Sequence, residues 1–112
     1  MIKLQELLYK VKILSVIGDT NVEISDVQFD SRKVKKNGLF VAIKGQISDG
    51  HKYIQDTIKV GVNAVVVEHI PIALNDKTTY IHVVNSYDAL GIISANFYKN
   101  PSERIKLVGV TG

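Results

Sequence analysis

Gly38-Leu39-Phe40-Val41-Ala42-Ile43-Lys44-Gly45 contains five consecutive apolar residues between a glycine turn and a polar loop. An apolar run without polar alternation fits a strand covered on both faces. A helix is expected next, roughly His51 to Val60. Asp49 stands at its N-cap position, Ile54, Thr57 and Ile58 share one face, and Gly61 stands at C′. Ala64-Val65-Val66-Val67 then repeats the buried-strand pattern. Further along, His69 to Thr79 reads as a longer loop broken by Pro71, and Tyr80 to Val84 as a strand. Asn85 or Ser86 caps a helix with Leu90, Ile93 and Phe97 on its apolar face. Asn100-Pro101-Ser102 ends it, and Ile105 to Val110 is a final strand. Working back from Leu39, Asn37-Gly38 is a turn supplying positive φ angles. Val22 to Phe29 reads as one strand and Gly18 to Asn21 as a turn cluster. Leu4, Leu7, Leu8 and Val11 have the i, i+3, i+4, i+7 spacing of a short amphipathic helix. The pattern predicts an α/β domain with a small mixed or mostly parallel sheet flanked by helices. That architecture assigns no chemistry by itself.

The chain has 112 residues, 46% hydrophobic and 22% charged. That composition belongs to an ordered globular domain. The chain has no cysteine, which excludes disulfide scaffolds, thiol nucleophiles and thiolate metal sites, and fits a reducing compartment. No apolar run reaches the length of a membrane span. Glu6 falls where a signal peptide needs unbroken apolar residues, so no export is expected. Five basic and two acidic residues fall between Asp30 and Gly50, so this segment carries the whole net charge of +3. A local basic segment in an otherwise neutral chain suits a small anionic ligand better than a nucleic-acid face, although on charge alone a solvated basic turn is the plainer reading.

Three segments could carry chemistry. Phe29-Asp30-Ser31-Arg32-Lys33-Val34 follows a strand and offers a hydroxyl and two cations to phosphate or sugar oxygens. The same residues could simply build a turn, with Asp30 and Ser31 bonded to their own backbone and Arg32 paired with Asp30. Lys44 to Gly50 joins a strand end to a helix start, where α/β folds bind ligands, although an ordinary βα loop has the same make-up. Leu107-Val108-Gly109-Val110-Thr111-Gly112 looks like a strand entering a phosphate loop without the Gly-Lys-Ser/Thr that defines one. His51, His69 and His82 have no helical partners at metal-ligand spacing and read as surface or helix-start residues.

Asp30-Ser31-Arg32-Lys33-Val34, Gly38 to Gly45 and Asp49-Gly50-His51 together resemble the N-terminal domain of the Mur ligases, which extend the peptidoglycan stem peptide. Phe97-Tyr98, Asn100-Pro101-Ser102 and Leu107 to Gly112 resemble the branch adding the third residue; the ligase acting next in the pathway is the alternative within the family. The likeness runs from about Val22 onward. It implies a cytoplasmic, monomeric, three-domain enzyme using ATP and Mg2+. Such an enzyme phosphorylates a substrate carboxylate, and the incoming amine of lysine or diaminopimelate displaces the phosphate. Residues 1–104 would form the domain binding UDP-N-acetylmuramoyl-dipeptide. Residues 105–112 would be the first strand of the ATP-binding central domain. By the same resemblance Phe29 lies beside uracil, Ser31 contacts the nucleotide, and Gln46, Ile47 and Ser48 reach the diphosphate. Gly112 opens the ATP loop. The catalytic lysine and the magnesium ligands would lie beyond Gly112, so this stretch should hold no cofactor, metal, nucleic acid or membrane and should be inactive alone. A reading of another class is a standalone module docking protein or RNA through its basic turn.

Overall fold

The computed structural model describes residues 1–45 and 49–98. Its main sheet has five strands in the order β2 (Ile13–Ile17), β7 (Thr79–Val83), β6 (Ala64–Val67), β5 (Leu39–Val41), β4 (Val27–Gln28). β4, β5, β6 and β7 are parallel, and β2 is antiparallel to β7. A separate two-stranded sheet pairs β1 (Ile2–Lys3) with β3 (Glu23–Ile24). The helices are α1 (Leu4–Leu7), α2 (Ile54–Val60) and α3 (Ser86–Tyr98).

The unbroken apolar runs are explained by two cores. Alternate residues of a strand point to opposite faces. Leu39, Val41, Ala64, Val66, Ile81 and Val83 face one way and meet Leu4, Leu7, Ala89 and Ile93 of α1 and α3. Phe40, Ala42, Val65, Val67 and Tyr80 face the other way and meet Ile54 of α2. Full burial of one such aliphatic side chain contributes about 1.5–3 kcal/mol, so these central strands anchor the domain.

Several boundaries differ from the sequence reading. The first helix spans Leu4–Leu7 and stops because Lys10 takes a left-handed φ of 69°. Asn96 of α3 then donates to the carbonyls of Leu7 and Tyr9 at 2.9 and 2.8 Å, occupying acceptors the short helix leaves open. The stretch after it is strand β2, whose five residues are all exposed at the sheet edge. Val22 to Phe29 is two short strands in different sheets, β3 and β4, with Ser25 and Asp26 crossing between them. In the Asn37-Gly38 turn only Asn37 has positive φ, 66°. Segment 50–60 starts as a 3₁₀ turn, Gly50–Tyr53, before α2. Gly61 ends α2 as expected, at φ 111° with its N–H on the Thr57 and Ile58 carbonyls. The expected final strand and the Asn100-Pro101-Ser102 stop lie outside the described residues.

Candidate substrate-binding cleft

An open cleft of about 440 Å³ lies at the carboxyl ends of β4 and β5. Ligands in α/β folds bind at this end of the sheet. Its lining includes Phe29 and Ser31 from the segment after β4, Ile43 and Gly45 after β5, Gly50, and Tyr53 from the turn entering α2. Phe40 is fully buried beneath it, while Phe29 and Tyr53 remain 60% and 39% exposed. The cleft thus combines aromatic and aliphatic surface with the Ser31 and Tyr53 hydroxyls, the Asp30–Arg32 pair and backbone edges, suiting a planar ring joined to a polar group.

The two proposed ligand segments therefore share one cleft, and Phe29 and Ser31 stand in its wall. Gln46, Ile47 and Ser48 lie outside the described residues, as does Gly112; the loop that carries the first three borders the cleft at Gly45 and Gly50. Tyr53 and Ile43 were missed as lining residues. Tyr53 sits in a predicted helix, and only the 3₁₀ start of that helix turns it toward the cleft.

The turn reading holds for Asp30 and Arg32. Asp30 Oδ1 accepts from the Arg32 N–H at 2.9 Å and from Nε at 3.1 Å, and Oδ2 accepts from Nη2 at 3.0 Å. The guanidinium hydrogen bonds first, and the Arg32 backbone N–H second, hold the Asp30 carboxyl down to about 2. The same pairing pushes the Arg32 guanidinium up. Arg32 thus lines the cleft with its charge paired to Asp30, and its remaining N–H groups face solvent.

Asp49 builds the matching turn on the other loop. Its Oδ1 accepts from the His51 N–H at 2.9 Å and meets His51 Nδ1 at 2.6 Å. Burial works against the Asp49 charge, but the His51 N–H and ring outweigh it and hold the carboxyl below its ordinary value. His51 Nε2 takes the Glu68 backbone N–H at 2.9 Å. An amide N–H only donates, so Nε2 bears the lone pair and the ring proton sits on Nδ1, facing Asp49. Glu68 is tied further: its carbonyl accepts from His82 Nε2 at 2.9 Å and its carboxylate from the Ser86 N–H at 2.8 Å. His51 stands at a helix start as read, but half-buried and bracing, and His82 is half-buried and bracing too, contrary to the surface reading. His69 is exposed, 5.5 Å from the His51 ring. Among the described residues no group of three or more His, Asp or Glu side chains could hold a metal ion.

Residues 23–98 match the family described as Mur ligase family, catalytic domain. The chain belongs to the Mur ligase family. Within it, the chain is 48% identical over 111 residues to the UDP-N-acetylmuramoyl-L-alanyl-D-glutamate–2,6-diaminopimelate ligase of Cytophaga hutchinsonii, covering 98% of this chain and 23% of that protein. The ligase of the same name from Clostridioides difficile is 42% identical over 110 residues, covering 98% and 22%. The chain thus spans under a quarter of the length of these curated relatives. MurF from Acinetobacter baumannii shares the fold, with a TM-score of 0.69 at 24% identity over 85% of this chain and 20% of that one. MurF from Thermotoga maritima, solved in complex with ADP, gives 0.57 at 27% identity over 67% and 17%. Relatives by sequence are thus diaminopimelate-adding ligases, and MurF enters as a structural neighbour.

Proposed function

We propose that this chain is the substrate-nucleotide domain of an ATP-dependent amide ligase of peptidoglycan synthesis. Its cleft receives the UDP end of UDP-N-acetylmuramoyl-L-Ala-D-Glu, and the complete enzyme adds 2,6-diaminopimelate. The observation that carries this reading is the cleft at the ends of β4 and β5, where Phe29, Ser31 and both feet of the 44–50 loop converge. The relatives' names supply the ligase class and the added residue. Residues 1–104 form this domain and 105–112 begin the central one. ATP and Mg2+ belong to groups beyond Gly112 and supply the phosphoryl transfer there. The ligase acts as a cytoplasmic monomer, in keeping with a chain without cysteine. No helix among the described residues is long and apolar enough to cross a membrane.

Within the cleft the uracil ring rests on Phe29 and Tyr53, and the Ser31 hydroxyl meets a nucleotide oxygen. The test is titration of UDP into the chain. Ser31→Ala, by losing a hydrogen bond to a charged oxygen, should weaken binding about tenfold or more. Tyr53→Leu should move the uracil H5 and H6 resonances of bound UDP downfield by removing a ring current. Melting of Ser31→Ala should match the parent chain. Binding unchanged alongside lower melting would make Ser31 a turn residue and sink this assignment.

A further inference from the structure

The loop between β5 and α2 has a closed foot. Lys44 and Asp49 form an antiparallel bridge, and the Gly50 N–H donates to the Ile43 carbonyl at 2.8 Å. A Cβ on Gly50 would come within 2.8 Å of the Ile43 nitrogen, so the foot lies directly against the end of β5. His51 comes next, and its two ring nitrogens point to different parts of the fold. Nδ1 holds Asp49 on the foot, while Nε2 holds the Glu68 N–H just past β6. Glu68 is in turn fixed to β7 through His82 and to the start of α3 through Ser86. The imidazole is thus a strut between the cleft loop and a rim braced by three elements.

We propose that His51 is a positioning residue that sets the cleft loop by using both ring nitrogens at once, the Nδ1–H on Asp49 and the bare Nε2 under the Glu68 N–H, so that ligand affinity in the cleft falls when the acceptor at Nε2 is removed. This rests on the reading of the cleft as a UDP site. Without an acceptor at the place of Nε2 the Glu68 N–H loses its partner, and the foot of the loop loses its tie to the rim. The rim itself stays braced, because the Glu68 carbonyl and carboxylate remain engaged by His82 and the Ser86 N–H.

Two substitutions separate the roles of the two nitrogens. In His51→Gln the amide oxygen reaches the place of Nε2 and accepts from Glu68 N–H without titrating. In His51→Asn the side chain ends near Nδ1 and leaves Glu68 unpaired. The probe is UDP-N-acetylglucosamine. His51→Gln should bind it within about twofold of the parent chain, and His51→Asn about tenfold more weakly, the loss expected for one part-buried hydrogen bond left unmade. Imidazole ¹⁵N shifts of the parent chain without any ligand should show Nδ1 protonated and Nε2 bare. Exchange protection of the Gly50 amide should drop in His51→Asn and survive in His51→Gln. A proton on Nε2, as great a loss in His51→Gln as in His51→Asn, or parental affinity in His51→Asn overturns the proposal. If the parent chain does not bind the probe, the UDP reading of the cleft falls. The Gly50 amide then decides the strut alone: unchanged protection in His51→Asn removes it.

Discussion

Asp30-Ser31-Arg32 and Asp49-Gly50-His51 are built alike and end differently. In each an aspartate accepts from the backbone N–H two residues on, at 2.9 Å, and binds the side chain of that same residue. Each closes the turn after a parallel strand, and each borders the cleft. Arg32 turns Nε and Nη2 back onto Asp30 and holds its other N–H groups in solvent, its side chain 86% exposed. His51 has a second nitrogen left over, and the fold brings the Glu68 N–H to it. The lesson is that one local device can serve as a self-contained turn or as an anchor for tertiary structure, depending on whether the fold brings a distant group to the atoms the third residue has left over.

Substitutions at the three matched positions should break the symmetry to different degrees. The middle residue should show the largest contrast. Gly50→Ala would place a methyl against the Ile43 backbone and the Ala42 Cα, where no flexible side chain can yield. It should lower stability by about 1–3 kcal/mol in urea denaturation, the usual range for overpacking. Ser31→Ala should leave the denaturation midpoint unchanged. At the first position, Asp49→Ala removes a cap from the turn entering α2 and should lower stability by about 1–2 kcal/mol. Asp30→Ala should produce a visibly smaller shift in the same measurement, because the Arg32 side chain it holds stands in solvent, whereas the His51 ring that Asp49 holds is tied to Glu68.

The acid limb offers a finer contrast. Asp30 is held down to about 2 against an ordinary 3.8, so the folded chain binds fewer protons there than the unfolded one. Its contribution is complete above the ordinary value and disappears as pH falls through about 2. The stability difference between the parent chain and Asp30→Asn should therefore be level at neutral pH and shrink to nothing in strong acid. Asp49 is lowered as well, so Asp49→Asn should follow the same sign, read from denaturation curves across the acid range. Arg32→Ala should give the smallest effect, a melting curve superimposable on the parent at moderate salt, since exposed ion pairs are screened. A clear destabilisation would show that Arg32, like His51, has work beyond its own turn.

Much of this was legible in the chain because it depends on neighbouring residues. Leu39 to Ile43 and Ala64 to Val67 have no polar position to give to solvent, so strands covered on both faces are their consistent outcome, and the parallel sheet follows from the helix between them. Asp49 as a cap and Gly61 as a helix stop are contacts across a few bonds, readable from residue type. The clustering of candidate residues between Phe29 and Gly50 was visible for the same reason.

Other features depended on groups distant in sequence. Ile13 to Ile17 is a strand because β7 offers it an edge, and no periodicity within it announces that partner. Val22 to Phe29 splits because its two ends belong to different sheets, although its composition is continuous. Tyr53 reaches the cleft because the entry to α2 winds as a 3₁₀ turn, a difference of a few tens of degrees that side-chain spacing does not encode. The same holds for His51. Its type and its aspartate were readable, but a ring nitrogen has no intrinsic partner, and only the packing of β6 beside β5 and α2 brings the Glu68 amide to 2.9 Å from it. Local backbone chemistry thus wrote the turns and strands into the sequence, whereas the bracing of the cleft waited for distant chain segments to meet.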